Sequence, residues 1–288
     1  MFKLIKLSIA LALFSISFVS YSKSFLWEIK DKDNSVFLLG SVHLLRESDF
    51  PLNKSIINAF ESTELVVFEA DISALSSPKF QYFTLQQSML PKGQTLKTLL
   101  PPDLYKTTAK KMLRNGIKIE MMHGFKPWMA ALNLQLSEFN RLGYKPEYGV
   151  DQFLYRRAQM KGKQTRGLET PEFQIALFSE LSSKQQVEFL AQTIKEMDKA
   201  EKMLNDMLKA WKVGDAKAFY GYNIESFKMY PELMNKLLIN RNKNWIPKIV
   251  ELINSDQNAM VVVGSLHLPG KDGVLDLLSK KGYKAFQH

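Results

Sequence analysis

The chain contains no cysteine. That removes disulfides, a thiol nucleophile, thiolate metal ligands and a cysteine-linked lipid anchor. Histidine is scarce: the imidazoles are His43, His123, His267 and His288. The chain has no HExxH pair, no GxSxG elbow and no Walker loop, so the usual sequence forms of zincin protease, serine hydrolase and P-loop nucleotide hydrolase are absent. Beyond residue 22 no apolar run approaches the roughly 20 residues of a membrane-spanning helix. Acidic residues are outnumbered, giving a net charge of +10. The basic residues are spread out, with Lys106, Lys110, Lys111 and Arg114 in one region and Lys280, Lys281 and Lys284 in another. The aromatics near them do not form the interleaved pattern that marks a nucleic-acid surface, so they read as solvated faces, with anionic envelope material a more natural contact than nucleic acid.

The first residues, MFKLIKLSIALALFSISFVSYS, carry Lys3 and Lys6, an apolar run from Leu7 to Val19, and small Ser20 and Ser22. This is the pattern of a secretory signal peptide over residues 1–22. Its removal would leave residues 23–288 as a single exported domain without a membrane anchor, periplasmic in preference to extracellular.

FLWEIK and VFLL read as strands around the turn DKDNS, and ELVVFEAD as a third, with a helix near Pro51 between them. Runs that are apolar throughout suit strands covered on both faces. Helices follow in PPDLYKTTAKKMLRNG, in PWMAALNLQLSEFNRLG, from Asp151 onward, and as one helix or a bent pair over 183–213. KQTRGLETP reads as a short strand and loop. A later helical region is expected to break or shift near Pro247. The chain closes with the strand AMVVVG, a helix and the strand YKAFQ. The fold class is α/β: a mixed central sheet built from N- and C-terminal strands, with a large helical insertion over about 74–254.

Two segments repeat one frame. VFLLGSVHLL and MVVVGSLHLPG each end an apolar strand at Gly-Ser, skip one residue and present a histidine, His43 and His267. In α/β folds, sites form beyond the carboxyl ends of strands. Two such turns on neighbouring strands would bring both imidazoles to one crevice, able to bind a divalent metal or to divide acid–base work. Glu69, ending its strand, Glu169, in RGLET, and Asp151, after YGV, are the carboxylate candidates. Asp151 and Glu169 are also placed to cap helices, as is Asp71. Arg241 and Arg166 are candidates to hold a carboxylate or stabilise an oxyanion. Ser41 and Ser265 lack a full nucleophile-elbow context and are expected to orient the turns. His123 lacks the strand-end frame, and His288 reads as a frayed tail.

Taken in order, GSVHLL, FEAD, YGVD, RGLET, RNKNW and GSLHLPG resemble the TraB/GumN family, in particular its exported bacterial YbaP type, from about Phe25 to Phe286. More distantly the chain resembles the Tiki metalloproteases, without their carboxyl-terminal membrane segment. The resemblance implies metal-dependent hydrolysis of peptide or amide bonds, with manganese or cobalt as cofactor. On it, His43 and His267 match the motif histidines and Glu69 the acidic residue after the second strand, the set expected to hold the metal; Glu169 and Arg241 match further polar positions of the family, and all five are the catalytic candidates. The alternative is an envelope protein that binds a peptide, metal or porphyrin without turnover, a reading suggested by the Met- and aromatic-rich helical insertion.

Overall fold

The computed structural model describes residues 23–228 and 230–288, the side chains of 225–228 aside. The signal-peptide reading of residues 1–22 lies outside the described residues.

Among the described residues six strands form one sheet: β1 (Leu26–Lys30), β2 (Ser35–Ser41), β3 (Leu65–Ala70), β4 (Gln164–Glu169), β5 (Ala259–Gly264) and β6 (Phe286–Gln287), in the order β4-β3-β5-β2-β1-β6. β2, β3, β4 and β5 run parallel, and β1 is antiparallel to β2 and β6. The mixed sheet is therefore dominated by strands from the two ends of the chain, as the patterning predicts. β5 lies at its centre between β3 and β2, which is why AMVVVG is apolar at nearly every position: Met260, Val261, Val262 and Val263 are all fully buried.

The parallel pairing aligns two carboxyl ends. Gly40 faces Val263, and Ser41 faces Gly264. The two Gly-Ser turns are thus next-door neighbours in space. The Ser265 hydroxyl donates to the Ser41 carbonyl at 2.8 Å and ties one turn to the other. Trp211, from the Ala200–Lys212 helix, holds the first turn as well, its indole N–H donating to the Gly40 carbonyl at 2.8 Å.

Between β3 and β5 the chain is largely helical, with one exception. β4 leaves this region to pair with β3 as an edge strand, so the inserted stretch contributes to the sheet as well as covering it. The Pro127–Arg141 and Ser183–Met197 helices share a smaller apolar core through Ala130, Ala131, Leu134, Leu190 and Ile194. The tract over 183–213 is a pair, Ser183–Met197 and Ala200–Lys212, divided at Asp198–Lys199.

Three expectations are corrected. Pro247 lies inside the uninterrupted Asn240–Ile253 helix; the irregular turn is a π-helical stretch upstream at Asn235–Ile239. The proline removes one N–H bond toward the Lys243 carbonyl, and the helix tolerates that single loss. The last strand is shorter than YKAFQ, only Phe286–Gln287, and it pairs with β1 at the edge of the sheet. His288 is not frayed: its main chain bonds to Ser24 and Leu26, and its Nε2 lies 2.9 Å from Glu28.

Candidate functional site

Each parallel strand delivers one group to the same sheet end. β2 leads to His43, β3 carries Glu69, β4 ends at Glu169 and β5 leads through Gly264 to His267. Arg241 descends from the Asn240–Ile253 helix, in the turn directly after the π-helical stretch; single π turns are common where a helix must aim a functional side chain. Its Nη1 donates to the Leu237 carbonyl at 3.2 Å.

Gly264 floors the site. A Cβ placed there would lie 3.0 Å from Oε1 of Glu69, 3.4 Å from Nε2 of His43 and 3.6 Å from Cδ2 of His267. Three sequence-predicted residues therefore surround one point, and a methyl group would intrude on it. The glycine also supplies a donor: its N–H lies 2.6 Å from Oε1 of Glu69. Gly40, the matching glycine of the first turn, has a different job. A Cβ there would come within 2.4 Å of the Phe25 ring, so its absence serves packing.

The two histidines face opposite environments. His43 Nδ1 donates to Asp151 Oδ2 at 2.8 Å, and the other Asp151 oxygen accepts from the Ser41 hydroxyl at 2.8 Å. Asp151 raises the His43 pKa from 6.5 to about 9, against the opposing effect of desolvation. The His43 side chain is 62% exposed, so solvent screens part of this attraction. His267 is buried, packed on Trp245 with ring centres 4.4 Å apart. Burial pushes its pKa down to about 3, outweighing the pull of Glu69. Its Nδ1 donates to Asn242 Oδ1 at 2.6 Å, and its Nε2 accepts from Arg241 Nη1 at 3.1 Å.

Arg241 binds both glutamates. Its Nη2 lies 2.5 Å from Glu69 Oε2 and 2.8 Å from Glu169 Oε2, while Nε reaches both Glu169 oxygens at 3.0 Å. Burial pushes the Glu69 carboxyl up, but Arg241, the two histidines and the Gly264 N–H together hold it well below the usual carboxylate range. Gln174 donates to Glu69 at 3.2 Å and to Glu169 at 3.5 Å, closing the network.

Asp151 does not cap its helix; Gly149 holds that position, and the carboxylate turns to His43. Glu169 does not cap either, because Thr170 does. Asp71 is the cap expected of it, accepting from the Ser73 N–H at 2.9 Å. Arg166 is exposed in β4, and none of the bonds that join the cluster involves it. His123 lies elsewhere, 2.7 Å from the Tyr105 hydroxyl. Sequence reasoning missed Asn242 and Gln174. Asn242 had a signal: Leu238, Asn242, Trp245, Ile249 and Ile253 form one helical stripe, and every member is buried. A polar residue in such a stripe needs a partner. Gln174 had none.

The donor set suits a divalent cation in kind. Both imidazoles have Nδ1 tied to an oxygen, which leaves Nε2 as the coordinating nitrogen, the usual outer support of a metal-binding histidine. The hydrogen-bonded cluster also carries three carboxylates, Glu69, Asp151 and Glu169, with one guanidinium, so added positive charge would be favourable. The arrangement is not a ready-made cage. Among the described residues no group of three or more His, Cys, Asp or Glu side chains could hold a metal ion as it stands. Arg241 Nη1 occupies the His267 Nε2 lone pair.

No helix of the described residues is long and apolar enough to cross a membrane. No solved structure matches the chain. Among curated proteins, it is 24% identical to the protein YbaP of Escherichia coli (strain K12), over 84% of this chain and 86% of that protein. It is 23% identical to metalloprotease TIKI2 of Xenopus tropicalis, over 91% of this chain and 59% of that protein. It is also 23% identical to metalloprotease TIKI1 of Homo sapiens, over 91% and 61%. Residues 25–287 match the family model described as TraB/PrgY/gumN, and the chain belongs to that family.

Proposed function

We propose that the chain is an exported, periplasmic hydrolase of peptide or amide bonds that depends on a divalent metal, manganese or cobalt. One observation carries the reading: His43, Glu69 and His267 meet around the missing Cβ of Gly264. The names of the TIKI relatives support the reaction class. His43, Glu69 and His267 would hold the cation, which when bound polarises a carbonyl and makes water more acidic.

The remaining roles follow from hydrogen bonding. Glu69, strongly acidic and anchored by Gly264 and Arg241, suits a ligand better than a general base. Glu169, with both oxygens on Arg241, orients the guanidinium. Arg241 Nη1, which serves a carbonyl and an imidazole and no carboxylate, is the donor suited to developing oxyanion charge. Asp151 and Asn242 hold the two imidazoles in their tautomers.

Divalent-metal content of purified wild type and of the H43A/H267A double variant tests the metal centre. Stoichiometric metal in the wild type and its loss in the variant are expected; equal content in both would exclude a centre built on the histidine pair. A second reading, an envelope binding protein without turnover, draws on the lack of a preassembled metal group among the described residues. Histidine-dependent cleavage of a peptide library, read by mass spectrometry, would reject it.

A further inference from the structure

The point between His43 and Glu69 is the meeting place of two cavities of unlike character. Both residues line each of them. The first, about 310 Å³, is bordered by Ile72, Leu75, Pro146, Gln152 and Gln174 along with Asp151. It mixes apolar surface with two side-chain amides. The second, about 280 Å³, runs under the helical insertion. Phe139 comes from the Pro127–Arg141 helix, Leu204 and Met207 from Ala200–Lys212, Phe219 from Ala216–Lys228, and Leu238 from the π-helical turn. Its polar groups, among them Arg241 and His267, belong to the site itself.

An amide bond brought to the reaction point must send its two halves to opposite sides of the His43–Glu69 divide, and so into different cavities. We infer that the second cavity is a specificity subsite for one large apolar side chain, phenylalanine or leucine in size, flanking the bond that is cleaved. This deepens the hydrolase reading and rests on it.

Size and chemistry both argue for this occupant. A dry apolar cavity of about 150 Å³ is enough to take a benzene ring, so 280 Å³ holds a large side chain with part of its backbone. Covering apolar surface there is favourable in proportion to the area removed from water. A charged or amide side chain in the same place would lose its water and find no partner on Phe139, Leu204, Met207, Phe219 or Leu238. The insertion thus has a role beyond covering the sheet: it walls one side of the site.

Blocked tripeptides with phenylalanine, leucine or glycine at the centre are the probes. Binding to the full chain is read by ligand-observed NMR, and cleavage separately by mass spectrometry. The phenylalanine and leucine peptides are expected to bind at least about tenfold more tightly than the glycine peptide, as hydrophobic pockets discriminate. Met207→Trp, which fills the cavity from a half-buried position, is expected to abolish that preference. If that variant does not fold, Phe139→Ala, which widens the cavity, is expected to shift the preference toward a fourth probe, the tripeptide with tryptophan at its centre. Equal binding of all three peptides, or a preference that neither variant alters, would overturn the subsite. Apolar-selective binding without cleavage of any peptide sustains the second cavity as a site for an apolar side chain and defeats the hydrolase reading, with the placement beside a cleaved bond. Cleavage indifferent to the central residue does the reverse.

Discussion

Asn242 Oδ1 lies 2.6 Å from His267 Nδ1, and the Nδ2 of the same amide donates to the Asp272 carbonyl at 2.9 Å. The second bond fixes which way the amide points. The first then fixes the proton of His267 on Nδ1 and leaves Nε2 toward the site.

Asn242→Leu tests that chain of constraint. Loss of such an outer partner ordinarily lowers metal affinity about 10–100-fold, to be read by titration with manganese or cobalt. The orphaned imidazole N–H should also cost about 1–3 kcal/mol in denaturant unfolding. Wild-type metal affinity in the variant would show that another group sets the tautomer.

The two motif glycines should fail differently. Gly264→Ala puts a methyl group 3.0 Å from Glu69 Oε1. Peptide cleavage should fall about tenfold, less than the ~100-fold of a full ångström of misplacement at a reacting centre, because the carboxylate need shift only by a few tenths of an ångström; the loss of stability should be small. Gly40→Ala drives a methyl group into Phe25. It should destabilise by about 1–3 kcal/mol, the usual cost of overpacking, while metal affinity is retained. Parallel cleavage rates and denaturant midpoints separate the two; a shared phenotype would mean both glycines serve packing alone.

Stability of the metal-free protein should peak near pH 6.5. His43 has a raised folded pKa, so the stability it contributes is full below 6.5 and fades as pH rises toward about 9. His267 has a depressed folded pKa of about 3. Below 6.5 the unfolded chain takes up a proton that the buried imidazole refuses, so stability falls as pH drops toward 3. Glu69 adds a loss only below its ordinary carboxylate range. Denaturant midpoints from pH 4.5 to 9.5 should trace this dome. His267→Gln should flatten its slope between 6.5 and 4.5; an unchanged acid slope would mean that His267 is not held neutral.

Arg241→Met should destabilise by about 3 kcal/mol, the low end for a broken buried pair, because it leaves two largely buried glutamates without their shared cation. Adding Glu169→Gln should restore part of that loss by removing one of the uncompensated charges. Chemical denaturation of the single and double variants measures both effects. A single variant as stable as wild type would show that the carboxylates are neutralised some other way.

The repeated strand–Gly-Ser–x-His frame was legible because both copies are local: an apolar run reads as a covered strand, and its end places the next few residues. The same logic placed Glu69. Asp151 and Glu169 were harder, since an acidic residue at the start of a helix looks the same whether it caps or reaches across the fold. Caps by Gly149 and Thr170 freed both carboxylates, and their partners, His43 and Arg241, lie far off in sequence.

By itself the sequence determined which strands are buried, where each stops, and that two stops carry histidine, because hydrophobic periodicity and turn chemistry act over a few residues. The tertiary structure alone decided that β5 inserts between β2 and β3, so that His43, Glu69 and His267 share one floor. It also decided that Arg241 bridges two glutamates, and that one imidazole is exposed beside a carboxylate while the other is buried against Trp245. Charge, burial and hydrogen bonding at a site are sums over neighbours that the chain supplies from distant positions, and only folding brings those neighbours together.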